Sequence, residues 1–305
     1  MKLKNTLAIA LAGCSFLGFS QEENTEVKKS NIQEYTPSKL LNKGQWDVKF
    51  FNSIYTQTEQ TDERSKSITI DRQTFFTSST EIFTGITESK RINVGLLLQM
   101  KANTYGGAGA LDALSFKNNN IDSRSGLTTI APAIKIQPFK SISNFSIQTT
   151  FYIPVFKDEP NAPYLDMRSY VLETKMYFDK TFSSNKFQFF GEADIAYNFG
   201  EKSSEANPLK ENTGERFANN SFRVPVSAFL SYFPSQKTTV FVNVQQSFLI
   251  DAGNDFSQNY TLLGLGGKYQ LTEMLNLETS FGKIVRGNNY QGLGQTFSLG
   301  VRALF

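Results

Sequence analysis

The chain has 305 residues, and its 31 Lys and Arg against 28 Asp and Glu give a formal net charge of +3, too small to predict nucleic-acid binding. Hydrophobic residues make up 39% of the chain and the mean hydropathy is −0.32, which excludes a protein built from membrane-spanning helices. The 28 Phe and 12 Tyr are many for a soluble domain.

Histidine is absent from the sequence. Its absence removes the side chain best suited to general base catalysis near neutral pH and the commonest transition-metal ligand. We therefore expect no enzyme, no metal site and no cofactor. The single cysteine, Cys14, lies in the leader, so we expect no disulfide or thiol chemistry in the mature chain.

The beginning of the chain predicts an export signal. Two lysines precede an apolar run from Leu7 to Phe19, which has the length of a secretory hydrophobic region and is too short to span a bilayer. Small residues before Gln21 favour cleavage there, whereas the residues up to Cys14 fit a lipoprotein signal. We favour a signal peptide over 1–20, because the chain stays apolar after the cysteine, where a lipoprotein turns polar.

The next segment, 21–44, is charged, poor in apolar residues and without a clear period. A segment of this composition buries too little apolar surface to offset the entropy of ordering. We expect a disordered periplasmic segment, with a binding arm as the alternative.

From Gln45 the pattern changes to the two-residue alternation that is typical of strands, interrupted by turn residues. It predicts about twelve strands, over 45–58, 73–87, 91–103, 126–137, 144–155, 168–179, 186–199, 220–233, 237–249, 258–271, 274–285 and 294–305. Tight connections alternate with longer ones. Because the number of antiparallel strands is even, the first strand begins and the last strand ends on the same side of the sheet, the side of the tight connections. No linker divides 45–305, so we treat it as one domain.

One face of the predicted strands is apolar, as in the alternate positions of 92–102, 145–155 and 222–232, and Lys283 is the one charge assigned to that side. The opposite faces carry Asp47, Lys49, Glu81, Lys101, Lys135, Glu173, Lys175, Glu192, Asp194, Arg223, Lys268, Glu278 and Arg302. Because Lys or Arg facing lipid at the midplane costs roughly 2–4 kcal/mol, this segregation predicts a polar interior and a lipid-facing exterior. A soluble β-sandwich, the alternative, would spread its charges over exposed faces.

Five small or cyclic residues interrupt the strand pattern. Pro132 and Pro225 each remove a hydrogen-bond donor from a predicted strand, so we expect bulges or shifted strand limits there. Gly264, Gly266 and Gly267 are not followed by a helix, which argues against a nucleotide-binding loop. They instead predict a strand wall that is thin against neighbouring side chains.

The last twelve residues, GQTFSLGVRALF, alternate polar and apolar positions and end on an aromatic. This stretch resembles the insertion signal of bacterial outer-membrane β-barrels. The resemblance implies an all-β, membrane-spanning, antiparallel up-and-down barrel of about 12 strands in the outer membrane of a Gram-negative bacterium, similar to the small transporter-like barrels of the Bacteroidota. It also implies Gly300 and Phe305 as parts of the assembly signal, with outer-membrane lipids and the barrel-assembly machinery as partners. Outer-membrane lipases and lipid deacylases rely on a histidine, so the resemblance does not extend to them.

Twelve tilted strands close into a barrel of roughly 12 Å backbone radius, which leaves room for a narrow passage. The candidate pore-lining residues are Lys101, Lys135, Glu173, Lys175, Phe190, Glu192, Asp194, Arg223, Phe229, Phe241 and Arg302. The charges form either a polar ladder for a passing solute or a paired network that plugs the lumen. The aromatic residues either pack the narrow end or offer an apolar path to the solute.

The leading function is therefore a narrow channel or transporter for small solutes. The alternative is a sealed barrel that serves as a structural or partner subunit of an envelope complex, and a histidine-free enzyme comes third. The loop from Tyr105 to Phe116 either folds into the barrel mouth as a constriction or lies on the surface.

Overall fold

The computed structural model describes residues 31–107, 109–119, 121–157, 162–166, 168–200, 220–253 and 256–305. The expected signal peptide over 1–20, and residues 21–30 after it, lie outside the described residues. Within the described ranges, no helix is both long and apolar enough to cross a bilayer.

Twelve antiparallel strands form one closed barrel in which each strand pairs with its sequence neighbour and the last pairs with the first. The strands are β1 (Trp46–Thr61), β2 (Ser67–Gly85), β3 (Ile92–Thr104), β4 (Ser123–Ile136), β5 (Phe145–Pro154), β6 (Tyr170–Thr181), β7 (Phe187–Phe199), β8 (Ser221–Ser235), β9 (Thr238–Asp251), β10 (Gln258–Gln270), β11 (Leu275–Gly287) and β12 (Gln295–Leu304). The predicted fold class is confirmed.

The barrel closes where the chain enters and ends. The amide of Trp46 donates to the carbonyl of Phe305 at 2.7 Å, and the amide of Phe305 donates back at 3.0 Å. From there β1 and β12 stay in register from Asp47 opposite Leu304 to Thr56 opposite Gln295. Because closure leaves no unpaired edge, the backbone can be surrounded by hydrocarbon.

The outward faces form an apolar band of exposed side chains. Val242, Leu265 and Phe297 are more than half exposed, and Leu96 and Leu230 are exposed on other strands. A soluble protein rarely exposes so continuous an apolar surface, whereas a barrel in a bilayer requires one.

The two ends of the barrel differ in the length of their connections. The end that carries Trp46 and Phe305, the termini end, has the turns 86–91, 137–144, 182–186, 236–237 and 271–274. The opposite end, the loop end, carries the longest connections, 105–122, 155–169 and 200–220. Short turns on the side of the termini and long loops on the other are typical of outer-membrane barrels.

The β1–β2 hairpin is longer than the sequence predicts. β2 begins at Ser67 instead of 73, and β1 continues to Thr61. The β1 part of the extension is polar on both faces, whereas the β2 part alternates Ile68 and Ile70 with polar residues, and a β-bulge shifts the register between Gln57 and Glu59. A hairpin that protrudes into water needs no continuous apolar face, so the two-residue pattern is weaker there than in the other strands.

The two prolines are accommodated by gaps in the ladders, which differs from the bulges or shifted limits expected. Pro132 keeps its place opposite Leu96 on β3, while the pairing of β4 with β5 is interrupted beside it. Pro225 keeps its place opposite Ser247 on β9, while the β7–β8 pairing skips from Ala193 to Ala196. Each proline lacks the amide that one neighbouring strand would otherwise bind.

Residues 31–44 correct the expectation of a disordered segment. Asn31–Glu34 form a short helix, α1, and the chain after it passes through the termini end of the lumen. Ser38 and Leu41 are only 0% and 3% exposed. Composition predicted disorder because the segment supplies few apolar residues of its own, but the barrel wall provides the partners that the segment lacks. We call residues 33–45 the plug segment.

Candidate solute site in the barrel lumen

Alternation along the strands points all the predicted inward charges into the lumen. They line three cavities of about 280, 460 and 330 Å³ or pair with residues that do. The first lies at the termini end, and the other two lie on the side of the longest loops. The lumen therefore holds one cavity at the termini end, which we call the first compartment, and two near the loop end that share lining residues.

Polar contacts hold the plug segment in the first compartment. Thr36 Oγ1 donates to Asp179 Oδ1 at 3.3 Å, Ser38 Oγ donates to the same oxygen, and Lys39 Nζ lies 3.8 Å from it. The amide of Leu41 donates to Asn93 Oδ1 at 3.2 Å. Asp179 is thus the main anchor of the plug segment, and it was not among the predicted site residues.

Two predicted pore-lining cations also hold the plug segment. Lys135 Nζ donates to the carbonyl of Pro37 and lies 4.9 Å from the centre of the Tyr177 ring. Arg302 Nη1 donates to the carbonyl of Tyr35 at 2.6 Å. Both cations are therefore occupied by the protein itself in this closed arrangement.

Three ion pairs line the first compartment, and Lys135, which binds the carbonyl of Pro37, is the cation of the barrel wall outside these pairs. Arg302 binds both carboxylate oxygens of Asp47, at 2.7 and 2.8 Å. Lys49 lies 3.0 Å from Glu81. A third pair lies beside them, with 2.9 Å between Lys268 Nζ and Glu278 Oε2. Paired, largely buried charges of this kind hold a fold together and leave little charge for a solute.

The predicted aromatic residues Phe190, Phe229 and Phe241 form a continuous row on the inner wall, which Tyr177 extends. Ring centres are 6.1 Å apart between Tyr177 and Phe190, 5.5 Å between Phe190 and Phe229, and 5.8 Å between Phe229 and Phe241. The row ends over Gly266, where an added Cβ would meet the Phe241 ring. The glycine therefore thins the wall to receive a side chain, as predicted, and the row packs across four neighbouring strands.

A second set of charges on β6 and β7 is unevenly matched. Lys175 Nζ lies 3.6 Å from Glu173, 3.5 Å from Glu192 and 3.5 Å from Asp194, so one ammonium serves three carboxylates. Glu173 also accepts a hydrogen bond of 2.6 Å from the hydroxyl of Tyr152. Asp194 is 5% exposed, and its Oδ1 has no hydrogen-bond partner within the described residues.

Arg223 lines both the second and the third cavity and is exposed to the lumen. It forms no salt bridge with any other described residue. The lumen near the loop end thus holds a cation that water reaches, beside carboxylates that lack a full complement of positive charge.

The connection after β5 folds inward, which sequence reasoning missed. Asp166 lies 2.6 Å from Lys101 Nζ on β3. Asn103 Nδ2 donates to the carbonyls of Tyr164 at 2.7 Å and Leu165 at 2.9 Å. The signal that could have predicted this inward fold is an acidic residue, Asp166, in a connection near the inward-facing Lys101.

The Tyr105 to Phe116 loop takes the surface alternative instead of the constriction. Its 3-10 turn, Asp112–Ser115, leads to Phe116, whose ring packs edge-on against outward-facing Phe76 at 5.5 Å. Ser125 Oγ holds the carbonyl of Phe116 at 2.9 Å. The loop therefore covers part of the outer wall.

Within the described residues, no three metal-ligating side chains of the Asp, Glu, Cys or His type form a cluster. The chemistry of the lumen is that of hydrogen bonds, charges and aromatic surfaces. These groups can bind and orient a solute.

Solved structures with very different sequences share this fold. An outer-membrane channel from Pseudomonas putida is 11% identical, with a TM-score of 0.62 over 93% of this chain and 100% of that chain. The β-domain of the Bordetella autotransporter BrkA is 12% identical, with a TM-score of 0.53 over 85% of this chain and 99% of that chain. No protein-family model matches the sequence, and a search of curated proteins finds no match. The likeness establishes the fold of an outer-membrane barrel.

Proposed function

We propose that this protein is an outer-membrane channel for small polar solutes, without enzymatic activity, and that the plug segment closes its termini end. The observation that carries the proposal is the contrast inside the lumen. Two cavities near the loop end share Glu173, Lys175 and Arg223, and Arg223 has no salt-bridge partner within the described residues. The likeness in fold to an outer-membrane channel supports this reading.

In this proposal the longer loops face the cell exterior and the plug segment faces the periplasm. A solute entering from outside would meet the two loop-end cavities first. The inward connection that carries Asp166 narrows the entrance beside Lys101. Passage to the periplasm requires the plug segment to leave the wall, so transport would depend on how strongly that segment is held.

Assembly through the barrel-assembly machinery belongs to the same proposal. Phe305 is 58% exposed on the outer surface while its backbone pairs with Trp46. It therefore offers an accessible aromatic at the closing seam. Gly300 has a packing role of its own, because an added Cβ would meet the ring of Phe51. A source among the Bacteroidota rests on the sequence resemblance alone.

The second candidate, a sealed structural subunit, is favoured by the plug segment itself. Its contacts with Asp179, Lys135 and Arg302 join three different strands across the termini end. If those contacts never open, the barrel has a closed floor and its role lies in the envelope structure.

An engineered disulfide separates the two candidates. Ser38→Cys with Asp179→Cys places two thiols where the side chains now touch, and the sequence has one natural cysteine, Cys14 in the leader. Purified protein in a planar bilayer should conduct ions when the pair is reduced and should lose that conductance when it is oxidised. The two single-cysteine variants are the controls and should not respond to oxidation. Absence of conductance in wild type and in the reduced variant would overturn the channel and leave the sealed subunit.

A further inference from the structure

The second cavity contains two unmatched groups of opposite kind on neighbouring strands. On β7, Asp194 Oδ1 is buried and has no donor among the described residues. On β8, Arg223 has an exposed guanidinium and no salt bridge to a described residue. Both line the same cavity of about 460 Å³. A buried acceptor without a donor costs stability unless a bound group supplies the hydrogen bond.

The backbone places the two groups at a useful separation. Arg223 is opposite Ala196, so Asp194 lies two residues nearer the termini end on the adjacent strand. Diagonal neighbours of this kind have Cα atoms roughly 7–8 Å apart. The β7–β8 pairing is interrupted between them by Pro225, which also faces the cavity.

The carboxylates create a demand for a further cation. Glu173, Glu192 and Asp194 share the single ammonium of Lys175. An incoming ammonium would supply both the missing positive charge and the missing donor at Asp194. The planar guanidinium of Arg223 matches a carboxylate, to which it can donate two parallel hydrogen bonds.

The rest of the cavity wall can contact the part of a ligand that lies between an ammonium and a carboxylate. Gln245, Gln258, Ser247 and Tyr260 offer amide and hydroxyl groups that can bind a peptide unit. Leu249, Phe256 and Pro225 add apolar surface for a small side chain. The volume is within the range of small-molecule sites.

We infer that this cavity binds a small zwitterion, an amino acid or a short peptide, with its ammonium at Asp194 and its carboxylate at Arg223. The inference deepens the proposed channel function, on which it rests, because it names the solute class that the channel would select. The site accounts for the unmatched acceptor and the unmatched cation with a single ligand.

Three forms of one dipeptide test the assignment by calorimetric titration of full-length mature protein in detergent. The probes are alanyl-alanine, its N-acetyl form, which lacks the ammonium, and its C-terminal amide, which lacks the carboxylate. The unmodified dipeptide should bind, and each blocked form should bind about tenfold to a hundredfold more weakly, the factor expected for one charge-assisted hydrogen bond.

Two variants make the test independent of folding. Arg223→Gln should weaken alanyl-alanine by about tenfold or more while leaving the amide form unchanged, since that probe already lacks the group that Arg223 binds. Asp194→Asn should weaken the binding of alanyl-alanine and leave the binding of the N-acetyl form unchanged. Arg286→Gln removes an exposed arginine near the same end that lines none of the three cavities, and it should change nothing.

Two patterns would overturn the inference. One is an equal loss for all three probes in a variant whose circular dichroism matches that of the wild type, which would show that the replaced side chain does not bind the ammonium or the carboxylate of the ligand. The other is a wild type that binds the amide form more tightly than the zwitterion, which would make the site a plain cation site. Conductance without dipeptide binding would overturn this inference and leave the channel standing, whereas dipeptide binding by a barrel that never conducts would overturn the channel and leave the site.

Discussion

The two ends of the lumen differ in how their charges are matched. At the termini end, Asp47 has its arginine, Glu81 and Glu278 have their lysines, and the remaining cation, Lys135, holds the carbonyl of Pro37. Near the loop end, three carboxylates share Lys175, and Arg223 stands without a salt bridge among the described residues. Side chains of the same types therefore serve structure where they are paired and remain available to a solute where they are not.

Removing a partner from the matched end should have the largest effect. Arg302→Gln leaves Asp47 as a buried carboxylate without its two hydrogen bonds and also frees the carbonyl of Tyr35. Breaking a buried pair in this way costs about 3–5 kcal/mol. Denaturant unfolding of the purified barrel in detergent measures the loss.

Arg223→Gln is the matched control from the other end of the lumen and should cost less than about 1 kcal/mol, since no pair is broken. Equal losses in the two variants would remove the distinction between a structural and an available set of charges.

Releasing the plug segment should be the next largest effect. Asp179→Asn removes the negative charge that accepts hydrogen bonds from Ser38 and Thr36. In the wild type, Gln188 Nε2 donates to Asp179 at 3.2 Å, and in the variant this donor would face another amide. Hydrogen bonds to a charged group contribute about 1.5–3 kcal/mol.

The variant should therefore expose residues 33–45 to limited proteolysis and raise the open-channel conductance, while the barrel stays folded by circular dichroism. Ser38→Ala should give a smaller change in the same direction. A plug segment that stays protected in Asp179→Asn would show that Lys135 and Arg302 hold it without this anchor.

The strands and the inward faces could be predicted from the sequence because both follow from one two-residue period. The period predicted that Lys175, Asp194 and Arg223 face the lumen, and in the structure all three line the second cavity. The plug segment and the inward loop carry no period, and their order depends on groups far away in the chain, such as Asp179 and Lys101. The ion pairs between inward-facing side chains could not be predicted either, because alternation indicates which face of a strand carries a residue but does not indicate which side chain it contacts.

A smaller effect is expected in ion selectivity, where the unmatched end is probed directly. Glu192→Gln with Asp194→Asn should lower the cation-to-anion permeability ratio, because fixed charges act strongly on ions in a confined space of reduced dielectric. Arg223→Gln should raise the ratio. Reversal potentials under a salt gradient measure both.

The matched control is Lys268→Gln with Glu278→Gln, which removes one charge of each sign from the paired end and should leave the ratio unchanged. If that double variant shifts selectivity as much as Glu192→Gln with Asp194→Asn does, the ions feel the paired charges as well, and the contrast between the two ends would not extend to conduction.

The smallest effect should come from a plug contact that lies in water. Lys43 and Glu88 form a pair at 2.8 Å, with side chains 56% and 84% exposed, just outside the closed part of the lumen. Exposed pairs contribute roughly 0–1 kcal/mol, because water screens them and two long side chains lose freedom. Lys43→Gln should therefore change neither the unfolding midpoint nor the protease protection of the plug segment beyond that range. A loss equal to that of Asp179→Asn would mean that the segment is held at its exposed end, and the buried anchor in the lumen would then have no special role.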